Sequence, residues 1–203
     1  MARIAEARTA AEPSSLEQKE RRSRIIRSAA LLATESEFDQ VQMQDVAREA
    51  KVAIATLYRY FPSKTHLFVA LLRRQIGRLT EVMPDPEDGA SPIDAVSELL
   101  VAAQRQLLER PKFASAIIGA VNVANAETVT DAAVIDRAFY ELILRVAGIE
   151  RATDEDTRAV RLLVQCWFGL LTTTLNGRLD PAVAEMDLRR ACQLLLVDLS
   201  STH

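Results

Sequence analysis

Apolar positions along the chain recur at spacings of three and four, and no stretch alternates apolar with polar residues as a half-buried strand does. From Glu17 onward Ile25, Ile26, Ala29, Ala30, Leu32 and Ala33 fall at helical spacing, with Ser14 and Ser15 placed to cap them. A first helix is therefore predicted to end between Thr34 and Glu37. Met43, Val46, Ala47 and Ala50 predict a short second helix, Val52 opens a tight link, and Ile54 to Phe61 form a third that Pro62 stops. Ser63 then caps a fourth helix carrying Leu67, Val69, Ala70, Leu71, Ile76 and Leu79 and running on to Met83.

The segment Pro84 to Pro92, with three prolines, a glycine and three acids, reads as a loop between two modules. Beyond it every start and stop signal is helical. Ser91 is predicted to cap a helix with Pro92 at its first position and Asp94 at its third, Pro111 opens another helix, and Gly148 closes a run that begins near Thr130. Thr153 with Asp154, Glu155 and Asp156 reads as a capping box variant, for a helix that stops at Asn176 and Gly177. Asp180 and Pro181 lead into a last helix with Leu188, Ala191, Cys192, Leu195 and Leu199 on one face. The pattern predicts an all-α fold of about nine helices, arranged as a mobile arm at 1–16, a three-helix domain at 17–62, a linking helix at 63–83 and a second domain at 84–203. The run from Val160 to Leu171 and the stretch Leu194 to Val197 are apolar on more than one side. Each such helix has two faces to bury, either at the centre of one chain or against the same helices of a second copy.

Composition narrows the function classes. The chain has 203 residues, 49% hydrophobic and 26% charged, enough for one or two packed domains. No apolar stretch approaches the roughly 20 residues of a membrane span, and the expectation is a soluble cytoplasmic protein with no membrane partner. Six glycines form neither a GxGxxG nor a Walker loop, and the two histidines and two cysteines form no metal-binding spacing. No cofactor and no metal are expected. The net charge of −3 divides unevenly, because residues 1–82 hold 14 basic and 10 acidic side chains while residues 83–203 hold 11 and 18. That asymmetry points weakly to a nucleic-acid module joined to a domain with another task.

Residues 41–72, VQMQDVAREAKVAIATLYRYFPSKTHLFVALL, carry the chemistry. Val46, Ala47, Ala50, Val52, Leu57 and Phe61 form an inward set of helix-turn-helix spacing, with Ala47 and Ala50 small enough for close helix approach. Ile54, Ala55, Thr56, Tyr58, Arg59 and Tyr60 are left facing out wholly or in part, and tyrosine hydroxyls can donate to phosphate oxygens. Thr56-Leu57-Tyr58, then Tyr60-Phe61, Lys64 and Leu67, resemble the DNA-binding domain of the TetR family of bacterial transcriptional regulators. Within that family the wording is similar to the actinobacterial repressors of cholesterol and steroid catabolism.

The resemblance implies specific roles. Gln42, Thr56, Tyr58, Tyr60 and Lys64 match phosphate or backbone contacts, and Gln44, Ile54, Ala55 and Arg59 match positions that reach base edges. Arg22 and Arg24, in the basic run from Lys19 to Arg27, lie near the DNA backbone in the family. His66 reads as a packing or capping residue. The chain departs from the family by having Glu37, Lys51, Ala53 and Ala55 where glycine or a capping serine is frequent. Lys51 must then take the positive φ that glycine adopts freely, at a cost of about 1 kcal/mol.

In the second domain the resemblance implies an effector pocket, with Phe113, Ile117, Val121, Phe139, Ile143, Trp167, Leu170, Leu171 and Thr174 as its lining. Ile118 is a further candidate, and Asn122 and Asn125 are polar groups that either meet a ligand or cap a helix break. The resemblance also implies a homodimer on double-stranded palindromic DNA, acting as a repressor released by a large apolar effector, a steroid-derived acyl-CoA. A regulator of another pathway, an activator, or a constitutive regulator without a small-molecule ligand are the alternatives. An enzyme is not expected, since no nucleophile or acid–base pair stands at a recognisable spacing, and Asp136 and Glu141 read as surface charges.

Overall fold

The computed structural model describes residues 13–82, 91–124 and 130–200. Most of the expected arm, nearly all of the Pro84 to Pro92 loop, and Asn125 lie outside the described residues. Among the described residues there are nine α-helices and no strand: α1 Leu16–Ala33, α2 Met43–Glu49, α3 Ile54–Tyr60, α4 Lys64–Val82, α5 Pro92–Leu108, α6 Pro111–Val123, α7 Thr130–Val146, α8 Asp154–Leu175 and α9 Pro181–Leu195. A short 3-10 helix, Val197–Ser200, follows. No helix among these residues is long and apolar enough to cross a membrane.

Most helix ends follow from local chemistry. The Ser15 hydroxyl accepts from the Gln18 amide at the start of α1. Thr153 and Asp156 close a reciprocal capping box at α8, with Thr153 N donating to the Asp156 carboxylate at 2.7 Å and Asp156 N donating to Thr153 Oγ1 at 3.1 Å. The Asp180 carboxylate takes the amides of Ala182 and Val183 at α9. Gly148 and Gly177 stand just past α7 and α8 with φ of 74° and 67°, the left-handed geometry that lets orphan carbonyls of the last turn find donors. Ser91 holds the N-cap position of α5 without a side-chain cap bond, so that helix starts on Pro92 and Asp94 instead. The apolar stretch after α9 breaks differently from the expectation. The helix ends at Leu195, and Leu196 is buried while Leu194 and Val197 face out.

The chain forms two compact units. The first holds α1, α2, α3, the start of α4 through Gln75, and α6 from Lys112. Its core joins Ile25, Ile26 and Ala29 of α1 to Val46, Ala47 and Ala50 of α2, Leu57 of α3 and Leu67 and Phe68 of α4, all buried. The second unit holds the rest of α4, α5, α7 from Asp136, α8 and α9. There α5 and α8 pack against α9, and the Arg105 guanidinium bridges to Glu185 through Nε at 2.9 Å and Nη2 at 2.6 Å. Arg189 of α9 pairs with both Glu185 and Glu98, so a ladder of charges ties α5 to α9 along their outer edge. These guanidinium groups hold the Glu98 and Glu185 carboxyls below the usual carboxylate range.

The assignment of α6 to the first unit has a visible cause. Lys112 Nζ donates to the Glu35 carbonyl at 3.0 Å, and Gly119 lies against Phe38. Both contacts land on the loop between α1 and α2.

Candidate nucleic-acid interface and effector region

Helix α3 is seven residues long, and burial of Leu57 and Tyr60 fixes which side of it faces the core. Ile54, Ala55, Tyr58 and Arg59 stand at i, i+1, i+4 and i+5 and are all exposed, forming a single solvent-facing strip, with Thr56 half-buried at its edge. Tyr58 is 41% exposed and Ile54 38%, so both side chains are open to a partner. On α2, Gln44 is exposed while Met43, Val46 and Ala47 are buried. Gln42 occupies the N-cap position of α2 and is exposed, its amide turned toward the Gln40 carbonyl at 3.5 Å.

The turn between α2 and α3 carries the strain that the sequence predicts. Lys51 has φ of 53°, the one non-glycine residue with positive φ among those described. Its amide donates to the Arg48 carbonyl and that of Val52 to the Ala47 carbonyl, so the last carbonyls of α2 are satisfied while the chain reverses. Ala53 caps α3 with backbone geometry alone. The guanidinium of Arg24 supports the same turn from α1, its Nε donating to the Ala50 carbonyl at 2.8 Å.

Tyr60 needs correction, and Arg24 and Thr174 have partners within the chain. Tyr60 is 2% exposed and belongs to the core, because it follows Leu57 by three positions and lands on the inward face; Arg59 Nη2 lies 3.3 Å from its hydroxyl. Arg24 is exposed, and its Nε also holds α1 against α2 at the Ala50 carbonyl. Thr174 is buried and its hydroxyl donates to the Leu170 carbonyl of its own helix at 2.8 Å, which leaves it no free proton for a ligand.

The remaining basic residues are held in defined places. The Arg22 guanidinium stacks 5.2 Å from the centre of the Phe61 ring. Lys64, in the first turn of α4, directs Nζ to the Asp39 carbonyl at 3.1 Å and over the Phe38 ring at 4.6 Å. Next to it, the Ser63 hydroxyl accepts the His66 amide and shares a 2.8 Å hydrogen bond with His66 Nδ1, so the histidine closes the cap of α4.

The expected effector residues divide between the units. Phe113 and Ile117 are buried and Val121 half-buried on α6 of the first unit, where Ile118 is also buried and Asn122 is exposed. Phe139, Ile143, Trp167, Leu170, Leu171 and Thr174 belong to the second. Within the second unit Phe139 and Trp167 pair with ring centres 5.4 Å apart, and Ile143 and Leu171 are buried. Near that pair, burial raises the Asp136 carboxyl above its usual value, and burial together with Asp136 raises the Tyr140 phenol. The sequence reading missed Phe38 and Gln104. Phe38 lies in a loop where no periodicity marks it, whereas Gln104 was detectable as a polar residue one turn after Leu100 on an apolar face.

The geometry of α2 and α3 has a counterpart in known proteins. The family model described as "Bacterial regulatory proteins, tetR family" matches residues 25–71, and "Tetracyclin repressor-like, C-terminal domain" matches residues 89–195. The chain belongs to the TetR family of bacterial regulators. It is 31% identical to the HTH-type transcriptional repressor KstR of Rhodococcus jostii, over 91% of this chain and 87% of that protein. Among solved structures, a TetR transcriptional regulator from a Rhodococcus species is 53% identical, with a TM-score of 0.84 over 91% of this chain and 99% of that one. The regulator FadR of Bacillus subtilis, solved in complex with stearoyl-CoA, shares the fold at 19% identity and a TM-score of 0.63, over 89% of this chain and 99% of that one. The solvent-facing strip Ile54, Ala55, Tyr58 and Arg59 of this TetR-family chain lies inside the segment matched by the N-terminal family model.

Proposed function

We propose that this chain is a dimeric transcriptional repressor that binds a palindromic operator and is released by a large apolar effector, a steroid-derived acyl-CoA, to control sterol or lipid catabolism. The observation that carries this reading is the similarity to KstR over most of the chain, joined to an exposed reading strip on α3. In it, residues 17–62 read the DNA, α4 links them to the second domain, and residues 84–203 hold the effector and the dimer contact. Gln44, Ile54, Ala55 and Arg59 read base edges, while Gln42, Thr56, Tyr58, Lys64, Arg22 and Arg24 hold the backbone. The stearoyl-CoA bound by FadR supports the thioester part of the effector assignment, since that protein has the same fold.

A dimer is supported by apolar side chains that α8, α9 and the residues after them leave exposed: Leu162, Met186, Leu194 and Val197. A two-fold pairing of these helices would cover them. Two copies of α3 then meet successive major grooves about 34 Å apart. The test is sedimentation of the protein alone and on its own upstream DNA. Two protomers per palindromic fragment, lost together with dimer formation in a Leu194→Glu variant, is the expected result, and a monomer binding a single half-site would refute the arrangement.

A further inference from the structure

Among the described residues, two buried side-chain atoms meet no hydrogen-bond partner: Oε1 of Gln104 and Nε1 of Trp167. Both belong to the second unit. Buried polar groups are nearly always paired, so two unpaired ones in one unit ask what they serve. They are also of opposite sense, because an amide oxygen accepts and an indole N–H donates.

Their places in the helices explain why neither pairs within the chain. Gln104 stands on α5 beside Arg105, which reaches outward to Glu185 of α9. One residue earlier in the helical turn, Gln104 points about 100° away from that edge, and it is 2% exposed among Leu100, Val101 and Ala103, which are buried as well. Trp167 lies between Leu163 and Leu171 at i−4 and i+4, both buried, and is therefore at the middle of the inward face of α8. Its ring is nonetheless only half-buried and leans on Phe139 of α7. An aromatic ring with open surface at the middle of an inward face, with its polar atom turned inside, has the make-up of a pocket wall.

We propose that Gln104 and Trp167 are the polar anchors of the effector site and select an apolar ligand that carries a hydroxyl group. The ligand O–H donates to Gln104 Oε1, and an oxygen of the ligand accepts from Trp167 Nε1. At the ring position these anchors read, an unsubstituted skeleton satisfies neither atom and a ketone satisfies only the indole. This inference rests on the effector reading above and adds to it a position-specific choice of functional group.

The chain contains a single tryptophan, so emission reports directly from the proposed site. The full chain is titrated with coenzyme A thioesters of 5β-cholanic acid, its 3-oxo derivative and its 3-hydroxy derivative, reading Trp167 emission and, in parallel, release of upstream DNA. The hydroxy thioester is expected to bind about tenfold more tightly than the unsubstituted one, with the ketone between them. Gln104→Met, close in shape and without the oxygen, should bind the hydroxy and 3-oxo thioesters within about twofold of each other, both still ahead of the unsubstituted one through the Trp167 indole. Trp167→Phe, read by DNA release alone, should narrow the gap between ketone and hydrocarbon and serves if the methionine variant does not fold. Equal binding of all three by the unaltered protein, or a preference for the hydroxy over the 3-oxo thioester that survives Gln104→Met, overturns the proposal and leaves the acyl-CoA reading standing. Failure of every thioester to bind or to release DNA overturns both.

Discussion

A methyl group placed on Gly119 of α6 would lie 3.1 Å from the Cβ of Phe38, in the loop between α1 and α2. Phe38 in turn meets Phe68 of α4 edge-on, with ring centres 5.2 Å apart, and carries the Lys64 ammonium over its face. With Lys112 on the Glu35 carbonyl, α6 thus touches this loop at two points, and Lys64 grips the same loop at Asp39. The loop leads directly into Gln42 and α2. Replacement of Gly119 by alanine must displace Phe38 by a few tenths of an ångström. Overpacking of this kind costs about 1–3 kcal/mol, set against the roughly 1 kcal/mol that alanine gains over glycine inside a helix, and the Phe38 ring packed on Phe68 leaves little room to give. Thermal unfolding should report a lower midpoint for Gly119→Ala, and DNA binding should weaken because Lys64 loses its support. Unchanged values for both would show that the loop is not held as described.

The two classes of DNA contact predict different mutant behaviour. Gln44→Ala should cost about 1–3 kcal/mol on the preferred operator and relax discrimination at one base pair. Lys64→Ala should weaken all sequences alike and lower the slope of log affinity against log salt by about 1. Binding measured at several salt concentrations on operator and scrambled DNA separates them. A sequence-selective loss in the lysine variant would reverse the assignment.

The capping box of α8 is remote from either function in sequence, and its loss should register in stability alone. Thr153→Ala removes the acceptor for the Asp156 amide and a donor to the Asp156 carboxylate at 2.7 Å. The cost is about 1 kcal/mol, with a fall in melting temperature of about 2–4 °C and operator affinity unchanged.

Stability should also fall at alkaline pH through Cys192. Burial, the largest cause, pushes its thiol up to about 11, against about 8.5 in an unfolded chain. A folded-state pKa raised in this way gives a contribution that is complete below the unfolded value and is lost as pH rises through the folded one, because the unfolded chain sheds its proton first. Urea unfolding between pH 8 and 11 should therefore show a decline that Cys192→Ala does not share. Parallel curves for the two proteins would contradict the assignment.

Much of the fold was legible in the sequence because local rules decided it. The capping residues Ser15, Thr153 and Asp180 and the stops at Gly148 and Gly177 all act within one turn of their own position, and the strained Lys51 was set by the length of the α2–α3 turn. Tyr60 was misplaced because aromatic residues adjacent in sequence were read by type, whereas its spacing of three from Leu57 put it inside. The contacts of Phe38 with Gly119, and of Lys112 with Glu35, join residues about eighty positions apart, and no periodicity encodes them. Gln104 obeys the helical pattern of its neighbours, and only the absence of a partner for its oxygen, visible in three dimensions, distinguishes it from an ordinary buried amide.

The most direct test of the central claim is equilibrium binding of the full chain to its own upstream DNA, with and without a steroid acyl-CoA. The expected result is tight binding to a palindromic fragment and a loss on the order of a hundredfold with saturating ligand, which corresponds to a coupling of about 2.7 kcal/mol. Tight binding that the ligand leaves unchanged would contradict a repressor released by that effector.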